Sequence, residues 1–321
     1  MIRERDFIMD NNYEIIISVL VLETSVGIFL NGFIWFVNFM DFMKNTNISS
    51  NNKILLALSV ANMVNVICSI SGIFLHGSNS VYYYFIFSYV LMFSFASSSW
   101  LTACLCFLYF IKIINFRVGF LAQIKLQIDV KVPWLIVVVE VVSFCTSFLF
   151  LLAFNDDEDQ ELFNNTSNIL SANPTSGRII SVSKYLIIIF VNNCTPFLII
   201  TITTFCTIGF LRLHVRSMKK SDGNTNLESH QTAAKTMRRF LLFYLIFYLE
   251  IFIYTFGNTT HNALWYHIHI VLVFIFTPVQ SGLLILTNVR LKEVWHRLYL
   301  LLISPTKLLD ILMVCKYDTN K

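Results

Sequence analysis

Three carboxylates stand where carboxylates are rare. Glu23, Glu140 and Glu250 each lie inside a long apolar stretch, and an ionisable group in hydrocarbon is costly enough to mark a candidate for function. Glu250 follows Phe247 and Tyr248. A carboxylate beside aromatic faces attracts a protonated amine through charge and cation-π forces, although a Glu at this height also reaches for the water interface. Glu140 stands in no motif, and pairing inside a bundle or protonation would account for it. Other chemistry is poorly provided for. His261, His267 and His269 have no cysteine or carboxylate at ligand spacing, so neither a metal nor a cofactor is expected. No GxSxG, HExxH, P-loop or dinucleotide fingerprint occurs in a workable context, and an enzyme is not expected. All seven cysteines fall in apolar stretches or in the C-terminal tail, where they read as small apolar fillers; Cys315 is a weak candidate for palmitoylation.

The elements that must hold such residues are membrane helices. The 321 residues are 56% hydrophobic and 13% charged, with 31 Phe against 10 Gly; soluble domains carry about 25% charged residues. A span needs roughly 20 apolar residues, and seven runs qualify, at about 15–40, 54–76, 84–112, 133–154, 184–211, 239–258 and 267–289. They are too long, and alternate too little, for barrel strands. The expected fold is an all-α bundle of seven transmembrane helices over 15–289, with an N-terminus at 1–14 and a tail at 290–321. In the tail, basic residues interleave with Trp295, Leu298 and Tyr299, which predicts a short amphipathic helix on the inner leaflet, in contact with membrane lipids.

Charge placement sets the orientation. Of the 23 Lys and Arg, only Arg3, Arg5, Arg178 and Lys184 fall on the side of the N-terminus. The other nineteen face the opposite way, which places the N-terminus outside and the C-terminus in the cytoplasm of a plasma-membrane protein. The net charge of +4 then reports loop placement and implies no nucleic-acid partner. The acidic run from Asp156 to Glu161 falls in the outer loop between spans four and five, with overlapping glycosylation sequons at Asn164 and Asn165.

Motifs then narrow seven helices to a family. Span three ends Trp100-Leu101-Thr102-Ala103-Cys104-Leu105-Cys106-Phe107-Leu108-Tyr109-Phe110-Ile111-Lys112-Ile113-Ile114-Asn115-Phe116. This closely resembles the WxATCLSVFYFLKIANF signature of the bitter taste receptors, the type 2 taste receptors. Glu23, Gly27, Asn31-Gly32-Phe33-Ile34, Val37-Asn38 and Asp41 are similar to the family's ExxxGxxxNGFIxxVNxxD pattern. Val132-Pro133-Trp134, Pro196-Phe197, Leu211 with His214 and Met218, and the run Gln280 to Asn288 continue the likeness in order. Two departures stand out: Asn62 replaces the family's span-two Arg, and Gln280 its span-seven His.

The resemblance implies a G-protein-coupled receptor for bitter or other small-molecule agonists, acting through a heterotrimeric G protein of the gustducin or inhibitory class. It implies a cavity wall at Ser88, Met92, Phe95 and Ser99 of span three, Asn192 of span five, and Phe247, Tyr248 and Glu250 of span six. Packing against neighbouring helices is the plainer alternative for the span-three residues, and an interhelical hydrogen bond for Asn192. Coupling to the G protein would fall to Lys112, Arg212, His214, Met218 and Arg239 at the inner ends. Glu23, Asn31, Asn62 and Asn288 would form a conformational network, and Pro196 would bend span five. A vomeronasal type 1-like receptor is the alternative within the class. A transporter is the alternative outside it, although only Pro196 and Pro278 are expected to interrupt spans.

Overall fold

The computed structural model describes residues 2–44, 49–75, 81–114, 120–166, 192, 194–218, 227–256 and 263–303. Within them the chain is all helical: α1 (Ile2–Lys44), α2 (Ser50–Leu75), α3 (Val81–Ile113), α4 (Phe120–Thr166), α5 (Thr195–Met218), α6 (Leu227–Phe256), α7 (Ala263–Thr287) and α8 (Val289–Ile303). Six helices, α1 to α5 and α7, are long and apolar enough to cross a membrane among the described residues. The sixth expected span, 239–258, falls on α6.

Apart from α4 and α5, described helices consecutive in sequence pack side by side, as short connections dictate, and α1 closes the bundle against α7. α3 sits centrally, touching α2, α4, α5 and α6. Its C-terminal half supplies much of the core, with Leu101, Ala103, Leu105, Cys106 and Leu108 all buried. Isoleucines, valines and phenylalanines elsewhere face outwards, such as Phe36 of α1 and Ile202 of α5. That is the inverse of a soluble protein and suits lipid as the solvent. Hydroxyl side chains inside the helices are satisfied by carbonyls one turn back: Thr24 donates to Leu20 O at 2.7 Å, and Thr207 to Thr203 O at 2.7 Å.

Several helices outrun their expected spans. α4 is 47 residues long, about 70 Å at 1.5 Å per residue, against a hydrocarbon core of about 30 Å. It already includes Lys125 and Lys131, expected in the inner loop. It also runs on through Asp156–Glu161 and the sequon asparagines, expected in an outer loop. The reason is local: neither Gly nor Pro occurs between Pro133 and Pro174, so nothing breaks the helix. The side chains of Asn164 and Asn165 lie outside the described residues. The N-terminal segment expected at 1–14 is helical from Ile2.

The prolines also differ from expectation. Pro133 and Pro278 lie inside α4 and α7, whereas Pro196 occupies the first turn of α5. Asn192 and Cys194, just before it, are in π-helical geometry. The rest of span five upstream of Pro196, expected from 184, lies outside the described residues.

Gly27 sets the approach of α1 to its neighbours. A Cβ there would stand 3.1 Å from Val66 Cγ2 of α2 and 3.6 Å from Pro278 Cδ of α7. Small residues permit such backbone contact where apolar solvent gives no drive to helix association. Gly27→Leu is expected to push α1 off this seam, lowering the melting temperature of the purified protein and its yield at the cell surface. Wild-type values for both would show that the close approach is dispensable.

Candidate functional site

Two sets of side chains meet at the middle of the bundle. The first is aromatic. Phe276 of α7 lies with its ring centroid 4.3 Å from Phe247, 5.2 Å from Phe95 and 5.2 Å from Phe243. Tyr244 stands edge-on to it at 5.7 Å, and Phe197 of α5 meets Tyr248 at 5.4 Å. Rings from α3, α5, α6 and α7 therefore interlock at one junction.

Beside that junction the Ser99 and Tyr248 hydroxyls face each other across the α3–α6 contact, buried and with no partner besides one another. Asn192 Oδ1, just before α5, is buried without a hydrogen-bond partner. A buried polar atom left underpaired costs about 1–3 kcal/mol, so these groups favour a donor or acceptor brought in from outside. Of the expected cavity wall, the structure brings together Phe95 and Ser99 of α3 with Phe247 and Tyr248 of α6. Ser88 and Met92 are half-buried higher on α3 and join no described contact.

Glu250 does not join them. It lies three residues beyond Phe247, about 60° around the helix, and faces α7. There His269 Nδ1 is 2.7 Å from Glu250 Oε1. The residues around this pair, including Ile246 and Leu249, are exposed on the outside of the bundle.

The second set is a polar network centred on Gln280. Its Nε2 donates to Thr102 Oγ1 at 2.9 Å and to Tyr244 Oη at 3.0 Å. Ser98 Oγ, 3.0 Å from Gln280 Oε1, also lies 2.7 Å from Asn62 Oδ1. A single hydroxyl thus joins the two positions that depart from the family pattern. α2, α3, α6 and α7 are tied by neutral groups, with no buried cation. Asn31 belongs to a neighbouring link, accepting from Ser281 Oγ of α7 at 2.8 Å and donating to Gly27 O.

Other expected members are placed elsewhere. Glu23 bonds none of the asparagines, and its Oε2 is buried without a partner. Asn288 caps α8: its Oδ1 accepts from the backbone N–H groups of Arg290 and Leu291 at 3.1 and 3.3 Å. Glu140 accepts from Ser97 Oγ at 2.8 Å, linking α4 to α3.

At the C-terminal end of α3, Lys112 Nζ donates to Asp129 Oδ1 at 3.2 Å, and Ser50 Oγ donates to the same oxygen at 2.5 Å. α2, α3 and α4 are joined there. Arg212 and Arg239 are exposed; the side chains of His214 and Met218 lie outside the described residues. One contact has no forerunner in the motifs: Arg290 of α8 pairs with buried Asp41 of α1. Trp295 of α8 packs edge-on to Phe33 of α1 at 5.2 Å. A lone acid at the basic end of span one was the available signal.

Among the described residues no cluster of His, Cys, Asp or Glu could hold a metal. The profile of the taste receptor protein (TAS2R) family matches residues 8–302. The chain belongs to that family of G-protein-coupled chemosensory receptors and is a multi-pass membrane protein. Human taste receptor type 2 member 39 is 28% identical over 299 residues, covering 89% of this chain and 86% of the relative. The rat protein of the same name is 26% identical over 297 residues, covering 88% and 91%. The family is one of receptors, and its role implies a small-molecule ligand and G-protein coupling. The vomeronasal and transporter alternatives gain no support.

Proposed function

We propose that the protein is a bitter taste receptor. A bitter small molecule enters from outside and engages the α3–α5–α6–α7 junction. The shift in bundle conformation promotes nucleotide exchange on a heterotrimeric G protein of the gustducin or inhibitory class. The observation that carries the reading is the pair of buried hydroxyls beside interlocked rings, Ser99 Oγ and Tyr248 Oη, which have only one another, with the unpartnered Asn192 Oδ1 just before α5. They offer polar contacts to a mostly apolar ligand.

The proposal includes seven crossings, the seventh by α6, with residues 1–14 outside and 290–321 in the cytoplasm; the Lys and Arg distribution supports it. Lys112, Arg212, His214, Met218 and Arg239 then belong to the surface that meets the G protein. The receptor contributes differential binding between two conformations and no chemistry.

Expression in cultured cells with a chimeric G protein, read as calcium release over a panel of bitter compounds, tests the reading. Agonist responses that require the chimera are expected. Silence to bitter compounds, with responses to pheromone-like odorants or uptake of a substrate, overturns it.

A further inference from the structure

One face of α4 stands bare. Leu126, Val130 and Trp134 are the three most exposed large hydrophobic side chains among the described residues, and Val138 and Val141 extend the same face. Steps of three and four residues hold all five within about a third of the helix circumference. Polar side chains share that arc at its N-terminal end. Gln123, Gln127 and Lys131 recur every fourth residue, are exposed, and with Ile124 and Leu126 line a hollow of about 360 Å³. The face thus changes from polar to apolar between Lys131 and Trp134.

That change falls at the edge of the bilayer. Between Lys131 and Asp156 lie 24 residues of which only Glu140 is charged. They make about 36 Å of helix, slightly more than a hydrocarbon core of about 30 Å. Lys131 therefore stands at the depth of lipid phosphates, with Trp134 just inside it, where interfacial tryptophans anchor helices.

Lys131 also has no counter-charge. Asp129, the nearest acid in sequence, is taken by Lys112 and Ser50, and the neighbouring cation, Lys125, donates to Ile114 O at 2.9 Å. The Lys131 ammonium makes no hydrogen bond or ion pair with any described residue. With three donors and no acceptor it fits only a partner that supplies acceptors.

We propose that this face of α4 binds an anionic phospholipid. Its phosphate accepts from Lys131 Nζ and Gln127 Nε2, its polar headgroup lies towards Gln123, and one acyl chain runs along Trp134, Val138 and Val141. Net charge selects the lipid. An anionic headgroup neutralises the exposed cation, whereas the choline of a zwitterionic one brings a further cation beside Lys131 and Lys125. The inference rests on α4 crossing the membrane, and on neither the orientation of the chain nor the proposed agonist.

Trp134 supplies the test. The full-length protein is placed in phosphatidylcholine nanodiscs containing a minor fraction of either phosphatidylglycerol or phosphatidylcholine brominated near the top of one acyl chain. Bromine quenches tryptophan emission on contact, and subtracting the Trp134→Phe protein isolates the Trp134 signal. The brominated phosphatidylglycerol is expected to quench as if enriched about fivefold over the brominated phosphatidylcholine, as one lysine facing anionic lipid implies. Lys131→Gln should erase that preference. Gln127→Leu, which keeps the cation, should lower it about twofold. Lys292→Gln, which removes an exposed cation on α8, should leave it unchanged.

Equal quenching by the two lipids in the wild-type protein overturns the proposal, as does a preference that survives Lys131→Gln or is untouched by Gln127→Leu. Equal losses in Lys131→Gln and Lys292→Gln would assign the preference to the overall charge of the bundle and overturn it too. So would displacement of the lipid by added inorganic phosphate, which would make the hollow a site for free anions. Lipid binding needs no G protein. A chain that quenches as expected but gives no bitter response keeps the lipid site and loses the proposed receptor activity; one that signals with equal quenching does the reverse.

Discussion

Phe276→Ala is expected to be the most damaging single truncation in the bundle, costing about 3–5 kcal/mol as removal of a buried Phe generally does. The ring contacts Phe95, Phe243, Tyr244 and Phe247 on two other helices, and it is 2% exposed, so neither water nor lipid fills the space it leaves. In hydrocarbon the loss is of dispersion contact rather than of transfer from water. Phe276→Leu, which keeps much of the volume, should cost less than half as much. Thermal unfolding of the purified variants in detergent measures both. A melting temperature for Phe276→Ala equal to that of the wild type would mean that the rings do not interlock.

Gln280→Leu should have the next largest effect, with two readouts. It strands Tyr244 Oη and Gln280's other partners on α3, at about 1–3 kcal/mol for each buried group left unpaired. It also severs the buried Gln280–Tyr244 bond between α6 and α7. Stability is expected to fall by about 2–4 kcal/mol, and signalling without agonist to rise as α6 loses its tie to α3 and α7. Gln280→His restores a ring N–H that can reach Tyr244 or Thr102, and should recover part of both losses. If the leucine variant melted lower with unchanged basal signalling, the network would serve stability alone.

How far these features were legible in the sequence depends on which neighbour decides them. The span centres follow from hydropathy, because each helix meets its lipid solvent by itself. Helix ends did not, since they depend on what fails to break them: α4 continues to Thr166 for want of a Gly or Pro. Helical spacing placed Phe95 on one stripe with Ser99, and the family resemblance placed Phe247 and Tyr248 on the cavity wall. They left Glu250 between two faces, and only the register of α7, which brings His269 opposite, turned it away from the junction. Asn62 and Gln280 were visible as departures from a pattern. Their meeting through Ser98 was not, because it requires three helices at once. Asn288 looked like a polar residue in a span and is instead the residue at which α7 gives way to α8.

The contacts between α1, α7 and α8 carry a consequence for how the chain is made. Synthesis delivers α1 to the membrane first, yet Asn31 waits for Ser281 and Asp41 for Arg290, which emerge some 250 residues later. During that interval a carboxylate and an amide on the leading helix sit in or near lipid without their final partners. The α7–α8 segment, made long after α1, therefore acts as the clasp, and a chain that stops short of it carries its own polar mark of incompleteness on α1.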